Sequence, residues 1–202
     1  MGVSPQEKGR AAQRAWTRGR IIEAANELMA AGDTPSVSDA ATVAGVSRAT
    51  AYRYFPTQGD LLIAAVAQAM GEVGDAVPTE PGDDAAEALA ATARWLIRST
   101  VRNEHQLRAL YAHLLDAWLR ERRGEQAERL PRGARIPHIE RALTPLRAQL
   151  GEREFRRLAA VVSVLIGIEG WMALHDMWGM DAAEAEETLL WAMQTLLDGV
   201  SR

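Results

Sequence analysis

The sequence predicts an all-α fold: an N-terminal three-helix head built around a helix-turn-helix, with a C-terminal helical bundle behind it. Three observations carry that expectation. Alanine and leucine are abundant among the 202 residues while aromatics make up 5%, a balance that favours helix over strand. Apolar residues recur at helical spacing in several long segments. A Gly-Val-Ser turn joins two short segments near residue 45, each preceded by a residue suited to cap a helix.

Taken in chain order, Ile21, Ala25, Leu28 and Met29 mark the buried stripe of a first helix, which should stop near Gly32 and Pro35. Ser36-x-x-Asp39 has the pattern of a capping box and opens a short second helix of small residues. Ala44-Gly45-Val46-Ser47 follows. Gly45 supplies the positive φ that a tight helix-to-helix turn needs, Val46 fills the angle, and Ser47 caps the third helix. Thr57-x-x-Asp60 restarts the chain as a helix after Pro56. Residues 74–84 form a turn-rich connector. Helices are then expected at 85–101, along the stripe Leu107, Leu110, Tyr111, Leu114, Leu115, Trp118 and Leu119, and along Leu189, Met193, Leu196, Leu197 and Val200. The Arg-rich stretch 121–137, broken by Gly124, Pro131, Gly133 and Pro137, reads as a mobile loop. In the run from Leu158 to Leu174 only Ser163 and Glu169 are strongly polar, so both of its sides need cover. Glu169, Gly167 and Gly170 within it argue against a membrane span and for a core helix meeting a partner subunit.

Composition excludes several chemistries. With no cysteine there is no disulfide, zinc–thiolate site, iron–sulfur cluster or thiol nucleophile. No Gly-rich phosphate loop, HExxH or GxSxG occurs and the four histidines are scattered, so neither an enzyme, nor a cofactor, nor a metal site is expected. The first twenty residues are polar and lack the apolar core of a signal peptide, which makes a cytoplasmic location the expectation. Net charge is −4 but unevenly placed: Lys8, Arg10, Arg14, Arg18 and Arg20 face only Glu7 at the front of the chain. An acidic body with a basic front end fits an anionic partner held at one end. A solvated, frayed terminus accounts for the same charges.

The third helix is the most informative element. In a helix-turn-helix the second helix of the pair lies in the major groove and offers its N-terminal residues to base edges. Here Arg48, Thr50, Tyr52 and Arg53 are too large or polar all to be buried, while Ala49, Ala51 and Phe55 are available for packing. Arginine can read guanine with its fork, threonine can touch a thymine methyl, and tyrosine hydroxyls, as on Tyr52 and Tyr54, can reach phosphate. An amphipathic hairpin whose Tyr and Arg side chains merely cover the surface would show the same pattern.

Residues 17–62 resemble the DNA-binding region of the TetR family of bacterial transcriptional regulators. The matching residues are Arg18, Ile21, Ile22, Ala24, Ala25, Leu28, Met29, Gly32, Ala44, Gly45, Val46, Ser47, Tyr52, Tyr54, Phe55, Leu61 and Leu62. The resemblance implies a DNA-binding domain over residues 1–60 with a basic N-terminal arm, and an effector-binding and dimerisation domain over 61–202. It further implies a homodimer, a double-stranded, palindromic DNA operator, and repression relieved by a small organic effector. On this reading the DNA-facing residues are Arg18, Ser36, Ser47, Arg48, Thr50, Tyr52, Arg53, Tyr54 and Gln58, with Lys8, Arg10 and Arg14 in an arm that follows the backbone or enters the minor groove. Four positions depart from the family pattern. Gln58 stands where lysine is usual, Gly59 where an acid is usual, and Ala40 and Ala51 where branched apolar residues are usual. The alternative is a helical small-molecule-binding protein with weak or lost DNA binding.

In the body, aromatic residues with a few polar neighbours suit a pocket for an organic ligand: Trp95, Tyr111, His113, Trp118, Glu169, Trp171 and His175. Tryptophans in a helical core give the same pattern. Glu169 in its apolar run must be paired, protonated or facing a cavity. An arginine across the dimer is the favoured partner and a cationic ligand group the other. By family layout the last two long helices, near 152–178 and 183–200, form the dimer interface, with Val164, Gly167, Gly170, Met193 and Leu197 in it. Gly167-x-x-Gly170 would admit a close crossing of subunits, or would relieve crowding inside one subunit.

Overall fold

The computed structural model describes residues 5–71, 84–126 and 133–200, with side chains from Gly9 onward; most of the connector 74–84, and residues 127–132 of the Arg-rich loop, lie outside the described residues. Every regular element among them is helical: α1 (Pro5–Ala30), α2 (Val37–Ala44), α3 (Arg48–Tyr54), α4 (Gln58–Met70), α5 (Ala85–Arg102), α6 (Glu104–Arg122), α7 (Ile136–Leu143), α8 (Arg147–Leu165), α9 (Ile168–Met172) and α10 (Ala182–Val200). A 3-10 turn, Thr144–Leu146, joins α7 to α8, and a π-helical turn, Ala173–Met177, continues α9. The chain divides into two compact units, residues 1–71 with 105–130, and residues 72–104 with 131–202.

The first unit is the head. Ile21, Ile22, Ala25 and Met29 of α1 are buried with Val37, Ala40 and Ala41 of α2, Ala51 and Phe55 around α3, and Leu61, Leu62 and Ala65 of α4. Leu107 and Leu110 of α6 pack against this core. Ala40 and Ala51 are completely buried, so small side chains at these two positions let α2 and α3 approach closely. A boundary between residues 60 and 61 falls inside α4, whose apolar face supplies part of the head's core.

Local capping is as the sequence implies. The Ser36 side chain accepts from the Asp39 amide and Asp39 accepts from the Ser36 amide, a complete capping box. Gly45 ends α2 in the left-handed region (φ 66, ψ 34), where its amide and that of Val46 reach back to the Thr42 and Ala41 carbonyls. Ser47 caps α3 through the Thr50 amide, and Thr57 caps α4 through that of Asp60. Of the two roles expected for the basic front end, following the backbone or entering the minor groove, the second does not fit the local structure: α1 is helical from Pro5, so Arg10, Arg14 and Arg18 ride on a helix. A helix about 10–12 Å across cannot enter a minor groove about 6 Å wide. The basic residues are therefore a helix face and no groove-threading arm.

The second unit packs α5, α7, α8, α9 and α10 around Leu89, Leu96 and Ile97, Ile139 and Leu143, Phe155 and Val162, and Leu189 and Met193, all buried. Arg98 of α5 makes a two-pronged bond to Glu186 of α10, with both distances 2.8 Å. The run 158–174 is not one helix. Gly167 breaks it between α8 and α9, and the segments Ile136–Leu165 and Ile168–Met177 meet at 49°. Among the described residues no single helix is long and apolar enough to cross a membrane. The break exposes the last carbonyls of α8, and Arg135 satisfies one of them: its Nε donates to the Ser163 carbonyl at 2.9 Å.

Candidate nucleic-acid interface

The functional face follows from which side of α3 the head's core takes. Ala51 and Phe55, four residues apart, point inward and are buried. Ser47, Arg48, Ala49, Tyr52 and Arg53 are left exposed, with Thr50 half-buried. Ala49 was expected to pack; at 100° per residue it lies some 200° from Ala51, so it belongs to the outer face. A small apolar side chain between Arg48 and Thr50 fits beside a thymine methyl. Tyr52 is 46% exposed, its hydroxyl 3.5 Å from that of Ser38 on α2. Tyr54 is half-buried against the core, with Arg53 over its ring, 5.5 Å from the centroid, within the range of a cation–π contact.

The neighbouring helix extends this surface. Arg14 of α1, with Arg53 and Tyr54 of α3, lines an open concavity of about 510 Å³. Arg18 lies over the buried ring of Phe55, 5.2 Å from its centroid, and keeps its charge outside. Arg20 stacks on the exposed Trp16. Cations on two adjoining helices beside an exposed helix N-terminus form a surface that attracts a polyanion and offers donors to base edges.

Two expected DNA-facing residues are occupied internally. The Ser36 hydroxyl donates to Asp39 Oδ2 at 2.7 Å. Its hydroxyl and amide, aided by the more distant Arg48 charge, hold the Asp39 carboxyl below its ordinary range. Gln58 donates its side-chain amide to the carbonyls of Thr34 at 3.3 Å and Pro35 at 3.0 Å. It fastens the α1–α2 loop to the start of α4, so its donors are spent within the head. Gly59 behind it is buried.

The residues expected around an organic ligand fall in both units, and each group is described in its own. In the first, Tyr111 and His113 are half-buried on α6, whereas Trp118 is 50% exposed with Arg122 over its ring. Leu115 and Leu119 beside it are also exposed. In the second, Trp171 is buried and stacks on His175, centroids 4.6 Å apart and planes 8° apart. Trp95 meets His138 at 6.3 Å, and burial followed by the Arg141 charge lowers the affinity of that imidazole for a proton. Trp171 Nε1 and His138 Nδ1 are buried polar atoms with no hydrogen-bond partner among the described residues.

Glu169 finds its arginine within its own chain. Arg135 Nη2 donates to Glu169 Oε2 at 2.9 Å, which replaces both the cross-dimer arginine and the ligand cation of the sequence reading. The same guanidinium explains Gly167, where a Cβ would come 2.7 Å from Arg135 Cζ, and at Gly170 a Cβ would overlap the Leu165 carbonyl. Both glycines answer crowding inside one unit. Met193 and Leu197 are buried in their own core, while Val164 is 58% exposed; Val161 one turn earlier and Trp191 on α10 are exposed with it.

Residues 21–65 match the bacterial regulatory proteins, tetR family. The match spans the C-terminal part of α1 from Ile21, the whole helix-turn-helix and α4 as far as Ala65, the elements that build and present α3. No curated protein matches the chain.

Proposed function

Because residues 21–65 class this chain with the bacterial regulatory proteins of the tetR family, we propose that it is a one-component repressor that binds a palindromic operator as a homodimer and leaves it when a small organic effector binds. The observation that carries the reading is the outer face of α3: Arg48, Ala49, Tyr52 and Arg53 stand exposed on a helix whose inner face is locked into the head by Ala51 and Phe55. Arg48, Ala49 and Thr50 at its N-terminal end are the base readers, and Arg14, Arg18 and Arg53 hold the phosphates. Two heads related by a dyad would meet successive major grooves about 34–36 Å apart. The exposed Val161, Val164 and Trp191 on α8 and α10 support a subunit interface there. Effector binding in the helical body needs only ~1–3 kcal/mol of coupling to change operator affinity about 5–150-fold.

A mobility-shift titration against the DNA upstream of its own coding region tests this. A shift that survives excess unrelated DNA supports it. The inward-turned Gln58 favours one second reading, a helical small-molecule-binding protein with weak DNA affinity. A folded dimer giving no shift at low salt would select that one.

A further inference from the structure

We propose that Glu104, His175 and Asp176 form a binding site for a first-row divalent metal ion such as zinc. The three ligand atoms lie within 4.8 Å of one another, half-exposed on Glu104 and exposed on the other two. All three residues belong to the second unit. Two carboxylates and an imidazole give a cation both negative charge and a nitrogen donor. The imidazole moves the preference away from magnesium and calcium toward zinc, nickel or iron. Ligands bound at about 2.0–2.2 Å in a tetrahedral shell stand about 3.4 Å apart. Side-chain rotations that move a ligand atom by at most about 1.4 Å would close the present spacing.

The setting of His175 is a separate observation that points the same way. Its ring is held flat against Trp171 and its Nδ1 lies 2.9 Å from the Met180 carbonyl. With Nδ1–H donating to that carbonyl, the lone pair sits on Nε2. A backbone carbonyl behind the imidazole is how ligating histidines are commonly fixed in tautomer and direction. The backbone contributes too. His175 and Asp176 lie in the π-helical turn Ala173–Met177. Its wider turn, roughly 4.4 residues against 3.6, reduces the angle between successive side chains from about 100° to about 80°. Neighbouring residues can thus serve one ion. Three protein ligands leave a coordination position for water or for a donor atom of a bound molecule.

Binding of the metal alone tests the site, independently of any DNA or effector. Calorimetric titration of the full chain with zinc, repeated with cobalt and read by its visible absorption, should give one ion per chain. E104Q and D176N should each weaken binding about tenfold or more with unchanged circular dichroism, and H175Q should abolish it. No stoichiometric uptake at micromolar metal would overturn the proposal, as would unaltered affinity in both carboxylate variants. Full binding by H175Q would assign the ion to another histidine and equally overturn it. Should H175Q fail to fold, the two carboxylate variants decide.

Discussion

Gly45 sets the angle at which α3 leaves α2, and replacing it should cost stability for a reason confined to the backbone. At φ 66 and ψ 34 an L-residue is strained by ~1–2 kcal/mol. The surroundings add little, since a Cβ there would meet only Arg20 Nη2 at 3.6 Å, an ordinary contact. Alanine also stiffens the unfolded chain, which returns ~0.4–1 kcal/mol. Gly45→Ala should therefore destabilise the head by ~0.8 kcal/mol, at most ~1.6, and Gly45→Asn by less, because asparagine tolerates this region. Gly19 is the control. It sits inside α1 with open space around the Cβ position, so Gly19→Ala should stabilise by ~0.5–1 kcal/mol. Native-state amide exchange in α1–α3 reads the head's own opening free energy. Shifts of the same sign for Gly19→Ala and Gly45→Ala would refute the reasoning.

Four further expectations follow from the geometry. Arg48→Ala and Thr50→Ala should flatten base preference, each by ~1–3 kcal/mol at one position, while Arg18→Ala should weaken all sequences alike and lower the salt slope by about one; binding to a randomised duplex pool at two salt concentrations separates the two. Gly170→Ala should lower the melting temperature of the second unit more than Gly167→Ala does, because its Cβ meets the Leu165 backbone and the other meets movable side-chain ends. Equal effects would return the glycines to a subunit interface. Glu186 has its carboxyl held below the ordinary range chiefly by its bond to Arg98. That contribution is complete above the unfolded glutamate value and is lost as pH falls through the lower folded value. Glu186→Gln should remove this acid-side component from the melting temperature against pH. Arg135→Met strips Glu169 of its partner and a Ser163 carbonyl of its donor; for groups this exposed, a loss of ~1 kcal/mol by urea denaturation is expected.

What could be read from the chain alone was what is decided within a few residues. Ser36, Gly45, Ser47 and Thr57 act on amides and carbonyls three or four positions away, so their roles survive intact in the fold. Gln58 misled because its acceptors, Thr34 and Pro35, lie on a distant loop that only folding brings near. Glu169 and Gly167 misled for the same reason: their neighbour is Arg135, from a stretch that looked like loop, whereas Gly170 is crowded by the Leu165 carbonyl at the break between α8 and α9. At the end of that stretch the start of α7 was missed because Pro137 read as a breaker, although proline is well tolerated in the first turn of a helix, where it stands. Ala49 was misassigned through its composition; measured from Ala51 around the helix, its outward direction was available. The triad of Glu104, His175 and Asp176 was out of reach, since Glu104 is some seventy positions from the other two.

The most direct test of the regulator account is a hydroxyl-radical footprint of the full-length protein on its own upstream DNA. The account predicts two protected patches related by a dyad and centred about 34–36 Å apart, both lost in the Arg48→Ala, Arg53→Ala double variant while its helical circular dichroism is kept. Uniform or absent protection by the folded protein would contradict it.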